Sequence, residues 1–204
     1  MIDWFRQYWP YALALVAACA FAAFMIKKAA AAYRKHQTEF HAQEAKMRRL
    51  KALKETYVPL SREAIANAAP DELLEGTALG LQLKLQKEEN MERAFLALNE
   101  GQQFIYTLDV FLSDKTAAVF FKENGQILIS RIAPAFCAVG LSEFQPQIEK
   151  LAVMFDENDE TTSLDRAFIA AADEVFSSGD LLTKIKLQGA NYIQHHPEMF
   201  CAND

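Results

Sequence analysis

Asn99-Glu100-Gly101-Gln102-Gln103-Phe104-Ile105-Tyr106-Thr107-Leu108-Asp109-Val110-Phe111-Leu112 is the stretch on which the fold class turns. Phe104, Ile105, Leu108, Phe111 and Leu112 recur at steps of three and four, so a 3.6-residue turn places them on one face. Asn99 offers a side-chain oxygen to the orphan donors of a first turn. Gln102 stands three residues on, the spacing of a reciprocal cap. This segment is predicted to be an amphipathic helix.

Working outward, the same pattern repeats. Asp114 can start a short helix through Phe120 and Phe121, stopped by Asn124-Gly125, and the next helix runs through Ile132 and Phe136 to a stop before Gly140. Ser142 with Gln145 forms a second capping pair ahead of Ile148, Leu151 and Phe155. Ser163 precedes Leu164, Phe168, Val175 and Phe176, and Asp180 precedes Leu181, Ile185, Tyr192 and Ile193. Upstream, Pro70-Asp71-Glu72 suits a helix start with its acids near the positive end of the dipole. Leu79, Leu81, Leu83 and Leu85 alternate like a strand. They are not β-branched, however, and they run into the helix formers Gln86-Lys87-Glu88-Glu89, so helix is preferred. The chain has only 7 glycines in 204 residues and is 51% hydrophobic, which excludes disorder and a turn-rich β fold. About six amphipathic helices over 59–204 are expected to pack as one all-α domain.

The N-terminal part differs in kind. Trp9 to Ile26 carries no charge, and 18 helical residues rise about 27 Å, enough for a bilayer core. Trp4, Tyr8, Trp9 and Tyr11 crowd one end as interfacial aromatics, and Lys27 and Lys28 close the other. Basic residues concentrate after the run (Arg34, Lys35, Lys46, Arg48, Arg49, Lys51, Lys54), whereas only Arg6 precedes it. The positive-inside rule then predicts a bacterial inner-membrane, single-pass protein with its N-terminus outside and all that follows cytoplasmic. Val16-Ala17-Ala18-Cys19 matches a lipoprotein cleavage box. Cleavage there would leave Ala-Phe-Ala-Ala-Phe-Met-Ile at the new terminus, and the uncleaved anchor is the reading adopted. Residues 28–58 contain no glycine before Pro59 and are rich in Ala, Lys, Arg, Gln and Glu, which predicts a basic helical stalk. Tyr33, Phe40 and Met47 repeat every seven, with Leu50 and Tyr57 on a second such row, but His36, Gln43 and Lys54 leave the seam half filled; a solvated stalk is the reading adopted and a weak coiled coil its alternative. The expected organisation is an anchor at 1–27, a stalk at 28–58 and an acidic helical domain at 59–204.

Charge separates the parts and limits function. Residues 1–70 carry a net +6 and residues 71–204 a net −12. An acidic domain repels phosphates, so direct nucleic-acid binding is not expected, and a basic protein is the expected partner. Asp156, Glu157, Asp159, Glu160 and Asp165 are the most conspicuous candidates for partner binding. A calcium loop from Asp156 would need glycine at its sixth position and glutamate at its twelfth; Thr161 and Ala167 stand there. Cys19, Cys137 and Cys201 have no metal-ligand or disulfide spacing. His195-His196 do not share a helix face, and Glu88, Glu89 and Glu92 are read as helical carboxylates with no histidine partner. No cofactor, no metal and no catalytic residue is expected.

Leu98 to Asp109, with Phe120-Phe121-x-x-Asn124-Gly125, Ala138-Val139-Gly140 and Tyr192-Ile193-x-x-His196-Pro197-Glu198-x-Phe200, resembles the bacterial DNA-mimic-protein family over about residues 92–200. The chain departs from that family's Asn-Gly-Gly-Phe turn, having Asp114 to Val119 in its place. The resemblance implies a helical domain, of largely unknown function in most members, whose founding examples occupy DNA-binding proteins with phosphate-like rows of carboxylates. The expected function is a membrane-tethered, non-enzymatic acidic interaction module facing the cytoplasm. A DNA mimic and an immunity-type protein that neutralises a toxin are its alternatives, and a dimer is compatible with all three.

Overall fold

Asn99 turns the chain into its central helix. Its Oδ1 accepts from the Gln102 N–H at 2.9 Å, and α5 then spans Glu100–Ser113. The computed structural model describes residues 2–114, 116–155 and 165–201, and their side chains apart from those of 2–20, 22, 23, 26, 30–32, 35 and 39. Every element among the described residues is helical. Before α5 come α1 (Ile2–Tyr57), α2 (Arg62–Asn67), α3 (Pro70–Leu85) and α4 (Met91–Leu96). After it come α6 (Ala117–Glu123), α7 (Gln126–Ala138), α8 (Gln145–Met154), α9 (Arg166–Phe176) and α10 (Gly179–His195), with single 3-10 turns at Ser142–Phe144 and Pro197–Met199.

The chain divides into two units, 1–51 and 52–204. In the first, α1 is one helix, and all the described side chains from Phe21 to Arg49 are exposed. Arg48 pairs with Glu44 at 2.6 Å, an exposed i,i+4 contact that contributes only about 0.3–0.5 kcal/mol. Among the described residues no helix is both long enough and apolar enough to cross a membrane. The side chains of 9–20, most of the uncharged run, fall outside those residues.

The second unit begins inside the last turns of α1, where Leu53 and Tyr57 are buried. Helix α5 packs against α7, α3 and α10, and α3 packs against α10, so these four make the frame. The alternating leucines resolve as helix: Leu81 and Leu85 are buried one turn apart, and Leu79 and Leu83 flank them half-buried. Phe111, Phe120, Phe136 and Phe176 fill the space between α5, α6, α7 and α9. Phe111 meets each of the other three edge-on, with centroids 5.3–5.6 Å apart. Gly140 ends α7 at φ +78°, a left-handed value that favours glycine, and the Leu141 N–H returns to the Phe136 carbonyl at 2.8 Å.

Several helix starts differ from expectation. Thr116, not Asp114, caps α6; Asp114 ends α5 and accepts from Asn124 Nδ2 at 3.0 Å. Ser142 opens a 3-10 turn, and α8 begins at Gln145 without a side-chain cap. Ser178 caps α10, with Asp180 in its first turn. Glu88 and Glu89 lie in the turn between α3 and α4, because the Asn90 side chain restarts the helix by accepting from the Arg93 N–H. Ser163 and Leu164 lie outside the described residues.

Candidate functional site

The first and last of the segments behind the family resemblance meet in space, and they do so as packing. Asn99 Nδ2 and Gln102 Nε2 both donate to the Met199 carbonyl, at 2.7 and 2.8 Å. Gln102 therefore does not complete a reciprocal cap with Asn99; it ties the C-terminal turn to the start of α5. Gly101 allows this closeness, since a Cβ there would lie 2.6 Å from Met199 Sδ and 3.3 Å from the Tyr192 hydroxyl. Tyr192 stacks obliquely on His196 at 4.7 Å, and the His196 N–H closes α10 on the Tyr192 and Ile193 carbonyls. Glu100 and Glu198 near the Tyr192 hydroxyl, together with its burial, raise its pKa, burial being the larger cause. The histidine pair is thus part of a helix end, and among the described residues no group of three or more His, Cys, Asp or Glu is placed to hold a metal.

Asp165, one of the five acidic candidates, caps α9: its Oδ1 accepts from the Ala167 and Phe168 N–H groups at 3.1 and 3.0 Å. Asp156, Glu157, Asp159 and Glu160 lie outside the described residues. So do the side chains of Trp4, Tyr8, Trp9 and Tyr11, whereas Lys27 and Lys28 are exposed.

Two concavities flank α4 and share Leu85. The larger, about 530 Å³, is lined by the apolar Leu85, Ala94, Ala97 and Leu98 and by the charged Lys84, Glu88, Glu89 and Arg93. Its size falls within the range of small-molecule sites. Its charges are mixed and exposed and select no single ligand charge. The smaller, about 170 Å³, lies between Met91, Phe95, Tyr106 and Leu128.

Sequence reading missed one charged group. Asp109 on α5 is half-buried, and its pKa is pushed up to about 6, first by burial and then by Glu75 on α3; Lys186 on α10 opposes the shift. Its position was visible: Asp109 stands four residues after Ile105 and three before Leu112, at the border of the apolar face. The folded state holds this proton more tightly than an unfolded chain, whose aspartate titrates near 3.8. Stability from this group is therefore full below pH 4 and is lost as pH rises through 6. The Asp109→Asn variant should gain about 1–2 kcal/mol at pH 7, since solvent screens part of the penalty at this half-buried site, and almost nothing at pH 4. Thermal melts of both proteins across that range test this; equal gains at the two pH values would refute it.

No family model, no curated protein and no solved structure matches this chain.

Proposed function

We propose that the chain is a membrane-tethered, non-enzymatic module whose acidic helical unit recognises a basic protein on the cytoplasmic side. The observation that carries the reading is charge placed along one helix: 18 uncharged residues at 9–26, then nine Lys or Arg against two Glu between 27 and 54. Phe21, Phe24 and Met25 support it. They are 65%, 61% and 48% exposed on α1, and lipid would cover apolar surface that water covers poorly. The net −12 over 71–204 supplies the attraction for a basic partner. The segments that resemble the DNA-mimic family make packing contacts here at Asn99, Gln102 and Met199, so the partner is left to the acidic surface.

Carbonate washing of cell membranes, followed by protease treatment of intact spheroplasts, tests the address. The full chain should resist extraction, and the acidic unit should be protected. Release by carbonate, or digestion from outside, would overturn the reading. Capture on the full chain in detergent should then recover a basic protein that elutes as salt rises. If duplex DNA competes with that protein, the partner is a DNA-binding protein and the mimic form of the hypothesis is selected.

A further inference from the structure

The smaller concavity beside α4 is mostly apolar, and the charge it carries is negative. Leu85 of α3, Met91 and Phe95 of α4 and Leu128 of α7 line it, together with Tyr106 of α5 and Glu92 of α4. Among the described residues that line it, Glu92 alone is charged. Leu85 and Phe95 are buried, whereas Met91 is 51% exposed, so the concavity opens from the core to solvent. Its volume of about 170 Å³ is close to the roughly 150 Å³ of an apolar cavity that takes up one benzene ring. Tyr106 brings a polar atom to this lining. It is half-buried, its ring packs on Phe95 at 5.8 Å, and its hydroxyl makes no hydrogen bond to another described residue. Burial first, and Asp109 second, hold that hydroxyl above its usual pKa, so it stays a neutral phenol.

We propose that this concavity binds a small primary amine with a single aromatic ring, the ring against Leu85, Phe95 and Leu128 and the ammonium at Glu92. The site depends neither on the membrane address nor on a protein partner. Apolar walls with a few polar groups that fix orientation are the general form of a small-molecule site. An ammonium has three donors and no acceptor, and the Glu92 carboxylate and the Tyr106 oxygen are acceptors for it. A carboxylate ligand would meet Glu92 as a like charge. An uncharged ligand would fill the same apolar space and leave Glu92 to water. The larger concavity across Leu85 makes no such choice, because Lys84 and Arg93 line it along with Glu88 and Glu89.

Phenethylamine is the probe, with phenethyl alcohol and phenylacetate as its neutral and anionic counterparts. The full chain in neutral detergent, isotope-labelled at its methionine methyls, reports the site through the Met91 signal, which Met91→Leu assigns. That signal should move saturably with phenethylamine, half-way at on the order of 0.1–1 mM for so small a ligand, while those of Met154 and Met199 stay in place. Phenethyl alcohol should bind about three-fold more weakly, and phenylacetate more weakly still. Glu92→Gln should bring the amine down to the level of the alcohol. Leu128→Trp fills the concavity and should weaken the amine by about ten-fold or more. A Met91 signal unmoved at about 10 mM phenethylamine would overturn the proposal. So would phenylacetate binding as well as the amine, or a titration that Glu92→Gln leaves unchanged. Glu92 is exposed, so that variant decides the matter even if Leu128→Trp fails to fold.

Discussion

Replacing Phe136 with alanine is expected to destabilise the 52–204 unit by about 3–5 kcal/mol, the range for emptying a fully buried aromatic site. Phe136 has no exposed surface, and its ring touches those of Phe111, Phe144 and Phe176 with centroids 5.5, 6.3 and 6.0 Å away. The cavity left behind borders three other rings, each of which loses an edge-on contact. Collapse is hindered because these rings come from α5, α9 and the turn before α8, which other contacts hold in place. Against a total stability of roughly 5–15 kcal/mol, such a loss leaves a unit that is partly unfolded at growth temperature. Phe155→Ala is the internal comparison. Phe155 is half-buried and, among the described residues, has its one ring contact with Phe121, at 6.2 Å, so its removal should cost less than half as much. Urea unfolding followed by helical circular dichroism is the suitable measurement. Trp4 and Trp9, the two tryptophans, both lie outside this unit. A midpoint lowered for Phe136→Ala at an unchanged slope is the expected result. Equal midpoints for the two variants would mean that the rings do not form one packed cluster.

The helices were legible where the apolar period was strong, and their ends were legible only where one capping residue had no competitor. Asn99 is such a case. Asp114 was not, because Thr116 two residues later presents a hydroxyl to Val119 at 3.2 Å while Asp114 is taken by Asn124. Either residue fits the rule for a cap; the choice depends on a partner ten residues away. Helix α4 was invisible for a different reason: six residues carry too few turns for a period to be read, and it stands by seating Phe95 in the core. Pro134 within α7 would break an isolated helix at a cost of about 3 kcal/mol. Burial of Ile129, Ile132, Ala135 and Phe136 on that helix outweighs it. The pairing of the Asn99–Gln102 turn with Met199 joins residues 97 to 100 positions apart and had no local signal. Its two ends were each recognisable as motifs, but nothing in either indicated that they touch.

Gly76→Ala should be the more disruptive of two superficially similar changes, with a net loss of about 2–3 kcal/mol. Both Gly76 on α3 and Gly189 on α10 are buried helical glycines, and alanine would favour each helix by about 1 kcal/mol. The difference lies in what the added methyl meets. At Gly189 the nearest atom is the Leu74 Cδ1 tip and the next is 3.6 Å away, so a rotamer change of one flexible side chain makes room. At Gly76 the methyl runs into the root of the Tyr57 side chain, with Cγ at 2.5 Å and Cβ at 2.9 Å, as well as Cδ2. A Cβ moves only with its backbone, so relief requires the last turn of α1 to shift away from α3. That shift uncovers Tyr57 itself, 3% exposed, and pulls its hydroxyl from Glu72 Oε2 at 3.4 Å. The clash therefore exceeds the helix gain at Gly76, and the two nearly cancel at Gly189. A double-mutant cycle with Tyr57→Ala isolates the cause: removing Cγ and Cδ2 should make Gly76→Ala milder by about 1–2 kcal/mol. Additive losses in that cycle would show that the methyl is not colliding with Tyr57, and the docking of the end of α1 on α3 would need another explanation.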